Sequence, residues 1–288
     1  MTKHFYIIIL CLYSLTANAQ SLTDLLADDK ADTNYIEATF KSTRLINGQT
    51  VETTGKRELS VIINHRFQSI NTGINQFYGL DQGATIRLAM EYGLTNNIDL
   101  GLGRSNTEKL IDGYTKIKLL RQCNGALNHP VSISYYGGMQ IKTEPWADQS
   151  KNYPLNSRFS YVHELIFARK FNSSISVELI PGFVHRNMIE SKDDKNIVPF
   201  FGAGARCKIT TRTAFIGEYY YMRDGKNVNN YVNSMSFGYE IETGGHVFQI
   251  ILSNSSGMTE KIFIPETNGK WNNGDIRIGF NIMRRFSL

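Results

Sequence analysis

From Ala84 to Leu94 the chain sets Ala84, Ile86, Leu88, Met90, Tyr92 and Leu94 on one parity and Thr85, Arg87, Ala89, Glu91 and Gly93 on the other. Successive side chains of an extended chain point to opposite faces, so a period of two makes one apolar and one polar face. A helix would need apolar residues three and four apart, a spacing this stretch lacks. The alternation returns at Met235, Phe237, Tyr239 and Ile241 against Ser234, Ser236, Gly238, Glu240 and Glu242. It returns again at Ile276, Ile278, Phe280 and Ile282 against Asp275, Arg277, Gly279 and Asn281.

Followed along the chain, the pattern predicts twelve strands, at 59–68, 84–94, 98–104, 110–121, 131–142, 159–170, 174–185, 196–209, 213–221, 232–242, 246–253 and 275–286. Several reach the ~9–11 residues with which a tilted strand crosses a bilayer, where soluble strands run to ~5–6. Long connections follow the odd strands and mostly short ones the even strands. Among the short ones are Thr95-Asn96-Asn97, Phe171-Asn172-Ser173, Thr210-Thr211-Arg212 and Thr243-Gly244-Gly245, mostly turn-forming chemistry. Up-and-down strands with tight periplasmic turns and longer extracellular loops produce this rhythm. A soluble sandwich also alternates its faces, but regular long and short loops between such strands are not expected of it. The fold class expected is therefore all-β: an antiparallel transmembrane β-barrel of about 12 strands, spanning 58–288, with both termini periplasmic.

Composition agrees once the faces are separated. A mean hydropathy of −0.28 is too low for a bundle of membrane helices, but it is also the average of an apolar outer band and a charged inner one. The 15 Tyr and 16 Phe then serve as lipid-facing residues and interface girdles. The formal charge of +5 is not gathered into a stripe, so nucleic acid is not an expected partner.

Residues 1–19 have a basic start at Lys3, an apolar run from Phe5 to Leu15 and small residues at Ala17-Asn18-Ala19. These are the three parts of a secretory signal peptide cleaved between Ala19 and Gln20. The apolar run is too short for a membrane span. Segment 20–57 precedes the barrel. It opens with Asp24, Asp28, Asp29 and Asp32, and carries Asn47-Gly48 between extended residues, a hairpin signal. It is expected in the periplasm or inserted into the lumen.

The stretch Ala38-Thr39-Phe40-Lys41-Ser42-Thr43-Arg44-Leu45-Ile46-Asn47-Gly48, then Val51-Glu52-Thr53 and Ile63-Asn64-His65-Arg66-Phe67, resembles the start of a family of bacterial outer-membrane β-barrels of unknown function. Tyr92-Gly93-Leu94-Thr95-Asn96-Asn97-Ile98-Asp99-Leu100-Gly101-Leu102-Gly103 and Gly244-Gly245-His246-Val247-Phe248-Gln249 fit the same resemblance. It covers nearly the whole mature chain, implies an outer-membrane barrel, and brings no assigned catalytic residue. Near the carboxyl terminus Arg277, Gly279, Ile282 and Phe286 resemble the signal read by the barrel-assembly machinery, with Ser287-Leu288 as a departure after the aromatic residue.

With the apolar parity toward lipid, the lumen receives Arg66, Arg87, Glu91, Asp99, Lys116, Lys118, Glu164, Glu178, Arg206, Glu218, Glu240, Glu242 and Arg277, together with Asp112 and Asp275. A charge facing lipid near the midplane costs ~2–4 kcal/mol. Both signs are present, so the expected partners are each other and water. Inward Gly93, Gly101, Gly103, Gly238 and Gly279 are read as leaving space, and twelve strands fall between filled barrels and open channels. The expected function is a narrow pore or a solute-binding transport barrel with a mixed-charge lumen, with outer-membrane lipids and a small solute as partners.

Chemistry elsewhere is sparse. His163-Glu164-Leu165-Ile166-Phe167 starts like a zinc-protease motif but has Phe where the second His belongs, and it lies in a strand. No cofactor or metal is expected. His163 and His246 lie on the outward parity and keep open a lipid-modifying enzyme, which needs a nucleophile beside the base. The loops at 143–158, with Trp146 and Tyr153, and at 254–274, with Trp271, suit a surface binding or structural role. Cys123 and Cys207 are expected as free thiols, because four strands at ~4.8 Å each hold them too far apart for a bridge.

Overall fold

Strands form where the period of two runs: β1 Glu58–Ser69, β2 Ala84–Gly93, β3 Ile98–Ser105, β4 Ile111–Leu120, β5 Ser132–Ile141 and β6 Phe159–Lys170. They continue as β7 Ile175–Arg186, β8 Ile197–Lys208, β9 Thr213–Met222, β10 Ser234–Thr243, β11 His246–Ser253 and β12 Arg277–Ser287. The computed structural model describes residues 32–189, 194–223 and 231–288. In it each strand pairs antiparallel with its neighbours in the chain, and β12 pairs with β1 to close the barrel. The expected twelve strands are all present. The expected signal peptide, its expected Ala19/Gln20 cleavage point and Asp24, Asp28 and Asp29 lie outside the described residues. Among those residues no helix is long and apolar enough to cross a membrane.

Closure runs to the last residues of the chain. Phe286 pairs with Leu59 and Ser287 with Glu58, and the Leu288 N–H donates to Arg57 O at 3.0 Å. Ser287 and Leu288 thus extend the closing ladder beyond the terminal aromatic residue. Both ends of the barrel chain therefore share one rim, here the terminal rim, with the tight turns 94–97, 171–174, 209–212 and 244–245. The opposite, far rim carries 70–83, 106–110, 142–158 and 254–276, and among the described residues 187–189, 194–196, 223 and 231–233. At the terminal rim a two-residue ladder joins Asn34–Tyr35 to Cys123–Asn124. Cys123 is buried, Cys207 is exposed, and both are free thiols.

The outward parity forms an apolar band: Leu88, Met90, Leu100, Leu102, Leu179, Phe215, Phe237, Ile250 and Leu252 are all exposed. Adjacent Gln249 and Ile250 are 3% and 59% exposed, which fixes the parity. An apolar surface encircling a protein in this way is stable only against lipid.

The inward face departs from expectation, for it is not polar throughout. Val162, Ile166, Ile180, Val184, Val198, Phe200, Ile216, Tyr220 and Met222 on β6 to β9 point inward and are buried together with Phe40, Leu45, Ile46 and Val51 of the amino-terminal segment. Phe263 and Ile264 of the last far-rim loop join them. Leu165 and Ile166 are successive apolar residues on opposite faces, one toward lipid and one toward a packed interior. The lumen is filled with chain, so it needs a core of its own as well as a polar lining.

The band's position predicts the effect of charge. Ile250→Arg should destabilise the barrel by about 2–4 kcal/mol, measured as a lowered unfolding midpoint in urea with phospholipid vesicles.

Candidate functional site: the filled lumen

Two segments enter the barrel from opposite ends. From the terminal rim, residues 39–54 fold into a hairpin in which Arg44 bridges Gln49, Leu45 N donates to Gly48 O at 2.9 Å and Thr50 N donates to Thr43 O at 3.0 Å. Its tip meets Glu218 of β9, whose carboxylate accepts the N–H groups of Ile46 (3.2 Å), Asn47 (3.0 Å) and Gly48 (3.1 Å). Three successive N–H groups around one anion form a nest, so backbone donors that the tight turn leaves unpaired are satisfied by the wall. Neither Asn47 nor Gly48 has positive φ. Glycine is needed at 48 for proximity, since a Cβ there would lie 1.6 Å from the Tyr220 hydroxyl.

Around the hairpin, strands on every side supply a partner. Gln249 Nε2 donates to Leu45 O at 2.8 Å and Asn281 Nδ2 to Ile46 O at 2.8 Å. Lys116 Nζ donates to Thr43 O at 2.7 Å and Glu52 O at 3.1 Å, and Ser134 Oγ to Val51 O at 3.0 Å. Arg66 Nη2 donates to Asn47 Oδ1 at 2.8 Å, and Asp99 accepts from Thr54 N at 2.7 Å. Lys118 pairs with Glu52 at 3.4 Å and Glu242 with Lys41 at 2.8 Å.

From the far rim the loop 254–276 turns inward, with a single helical turn at Glu260–Phe263 whose residues are all buried. Phe263 packs edge-on against Tyr220 at 5.0 Å. Glu260 is where the two insertions meet: it accepts from Arg44 Nη1 (3.0 Å) and Gln49 Nε2 (3.1 Å) of the hairpin and from Gln140 Nε2 (3.2 Å) of β5. Nearer the rim, Lys261 pairs with Glu108 and, at 3.1 Å, with Glu266, while Lys142 holds Glu108 at 2.8 Å and Arg186 holds Glu266 at 3.2 Å. Burial works against the Glu108 charge, yet Lys261 and Lys142 bring its carboxyl below the usual carboxylate range. Burial also opposes the Lys261 charge, but Glu266 and Glu108 raise it above an ordinary lysine. Glu266 differs, being raised by its own burial against the pull of Lys261.

The remaining wall charges divide into two groups. Arg87 pairs with Asp112 (Nε to Oδ1, 3.0 Å) and Arg206 with Glu240 (2.7 Å), wall to wall. Glu91 accepts from the Tyr114 hydroxyl at 2.5 Å, and Arg277 donates to Asn254 O at 3.3 Å. Glu178 has one unbonded oxygen, and Glu164 is 1% exposed with neither carboxylate oxygen bonded. Arg44 Nε and Nη2 are likewise buried without acceptors.

The inward glycines do not leave space. A Cβ at Gly101 would lie 2.1 Å from the Tyr114 ring, at Gly103 2.6 Å from Arg87, at Gly279 2.6 Å from Arg66, and at Gly204 2.6 Å from Leu45 of the hairpin. Each is the floor under a large inward side chain. Cavities of 610, 460 and 380 Å³ open at the terminal rim, while the one between hairpin, β1, β11 and β12 holds 10 Å³, too little for a stable water. On the outer surface His163 Nδ1 lies 2.6 Å from the Tyr135 hydroxyl and His246 stacks on Phe248; neither is drawn to a serine. Trp146 of the 142–158 loop lies between Lys142 and Arg158 and against Tyr153.

Sequence reasoning passed over Arg44, Gln140, Gln249, Glu260 and Asn281. Gln249 and Asn281 lie on the inward parity and were legible as lining. Arg44 and Glu260 carry no periodic signal, since each lies in a segment whose path only the filled barrel defines.

A family model described as a membrane bound beta barrel domain (DUF5777) matches residues 40–286. The chain belongs to this family. It is a membrane-bound barrel, and the match begins within the hairpin, so the lumenal insertion belongs to the family domain along with the wall. No curated protein sequence matches the chain. Similar folds include a KdgM porin, at 10% identity and a TM-score of 0.49 over 79% of this chain and 99% of that one. An outer membrane channel from Pseudomonas putida F1 has 11% identity and a TM-score of 0.49 over 81% and 97%. Outer membrane phospholipase A from Escherichia coli has 12% identity and a TM-score of 0.44 over 81% and 91%.

Two outcomes follow from the site. Gly48→Ala forces the tip away from Tyr220 and should cost about 1–3 kcal/mol, read as a lower unfolding midpoint. Glu108 has a depressed value, so its contribution is complete above the ordinary carboxylate range and lost as pH falls through that depressed value. Lys261 has a raised value, so its contribution is complete below the ordinary lysine range and lost as pH rises through the raised one. Protection of 254–276 from protease should therefore hold at neutral pH and fall at acid pH, and Glu108→Gln should flatten the acid limb.

Proposed function

We propose that this protein is an outer-membrane conduit for a small solute, held closed by the hairpin 39–54 and by the loop 254–276, with its terminal rim in the periplasm. On this reading residues 1–19 direct export and are removed at Ala19/Gln20. The barrel-assembly machinery then inserts 58–288, and outer-membrane lipids surround the apolar band.

The observation that carries the reading is the lining itself. Glu164 is buried in the wall with no hydrogen bond, and Glu178 and Arg44 are only partly satisfied. A charge buried without a full set of partners is costly, and a barrel filled permanently is better served by apolar side chains of similar volume. A mixed-charge wall is stable when water reaches it, which happens when the hairpin leaves. The polar contacts that hold the hairpin are hydrogen bonds and ion pairs, which water replaces at a small net cost of ~0.5–1.5 kcal/mol each, ~1.5–3 where charged, and the buried Phe40, Leu45, Ile46 and Val51 add an apolar hold that keeps the closed form dominant.

Planar-bilayer recording tests this. The full chain should be mostly closed. Glu218→Gln and Arg44→Ala each weaken charged contacts to the tip, and at ~1.4 kcal/mol per factor of ten they should raise open probability at least tenfold. Removing 39–54 should give a steady current. No conductance from the wild type, both substitutions and the deletion would exclude the conduit.

A further inference from the structure

We infer that the vacated wall is a peptide-binding surface, and that the ligand replacing the hairpin is a segment of polypeptide able to form the same tight turn, recognised through its backbone. The inference rests on the conduit reading and names the substrate class of the same lumen.

Six wall residues on six strands address the main chain of the hairpin. Gln249, Asn281, Lys116 and Ser134 donate to the carbonyls of residues 45, 46, 43 and 52, and 51. Glu218 and Asp99 accept main-chain N–H groups, Glu218 from three successive residues and Asp99 from Thr54. Donors and acceptors are thus spaced for amide groups, which a peptide supplies when it turns with glycine at the tip, where Tyr220 leaves no room for a Cβ. Beside them Gly204 leaves a niche that Leu45 fills, and Ile180, Ile216 and Tyr220 belong to the same apolar cluster as Leu45 and Ile46. A saccharide presents hydroxyls at a different spacing and has no apolar side chain to place there. The hairpin therefore acts as a built-in occupant of a site whose chemistry is that of a peptide.

The test uses the full-length protein in lipid nanodiscs, with amide hydrogen exchange at Ile46, Asn47 and Gly48 reporting release of the tip. Three probes are added: a synthetic peptide with the sequence of 39–54, a peptide of the same composition shuffled except for its central Asn-Gly, and maltoheptaose. Both peptides should speed exchange, with half-effective concentrations within about tenfold of each other, and the saccharide should need at least tenfold more. Exchange unmoved by either peptide, a response to the native sequence alone, or an equal response to maltoheptaose would overturn the inference. A second arm measures block of the current through Glu218→Gln by the same probes, with peptides expected to block at least tenfold more strongly than the saccharide. Current that peptides leave unblocked overturns peptide recognition while the conduit stands. Absence of any current removes the conduit, and the exchange experiment still decides whether peptide binds.

Discussion

Closure of the ladder between β12 and β1 is the constraint on which the rest of the molecule depends. In hydrocarbon an unpaired backbone N–H or C=O costs several kcal/mol, so a sheet that spans lipid has to meet itself. Here it does so through to Ser287 and Glu58, with Leu288 adding a further bond to Arg57. Twelve strands joined in this way enclose an interior of fixed size, too wide for wall side chains alone to fill. Everything inside the barrel answers that surplus volume.

The answer is chain, from both ends. The hairpin and the far-rim loop meet where Arg44 pairs with Glu260, and the wall charges then partition by what they face. Arg87 with Asp112 and Arg206 with Glu240 neutralise one another within the wall. Arg66, Lys116, Asp99 and Glu218 instead satisfy an inserted segment. Glu164, left without a partner, marks the place where the fit is incomplete. On the proposed conduit reading, a wall that is partly self-paired and partly paired to the insertion keeps its shape when the insertion leaves.

The facing of the strands was legible because lipid demands an apolar residue at every second position, and Leu88, Leu102 and Ile250 obey. The filling of the lumen was harder to read. Leu165 and Ile166 are both apolar because one meets lipid and the other a packed core, and local periodicity cannot distinguish those surroundings. Gly101, Gly103 and Gly279 likewise suggest open space until the side chains of Tyr114, Arg87 and Arg66 are seen above them. Asn47-Gly48 marked a turn correctly, but the reason for glycine at 48 is the Tyr220 hydroxyl and not a left-handed backbone.

The sequence by itself determined the number of strands, their order, the face turned to lipid and that both ends share one rim, because a bilayer imposes one rule on every strand and the rule has a period of two. Only the tertiary structure decided that the lumen is occupied, by which residues, and that Glu218 holds the tip of the hairpin. Those contacts join residues about 170 positions apart, 171 between Asn47 and Glu218. Such pairs leave no local pattern, since they depend on barrel closure to bring six strands around a single turn of chain.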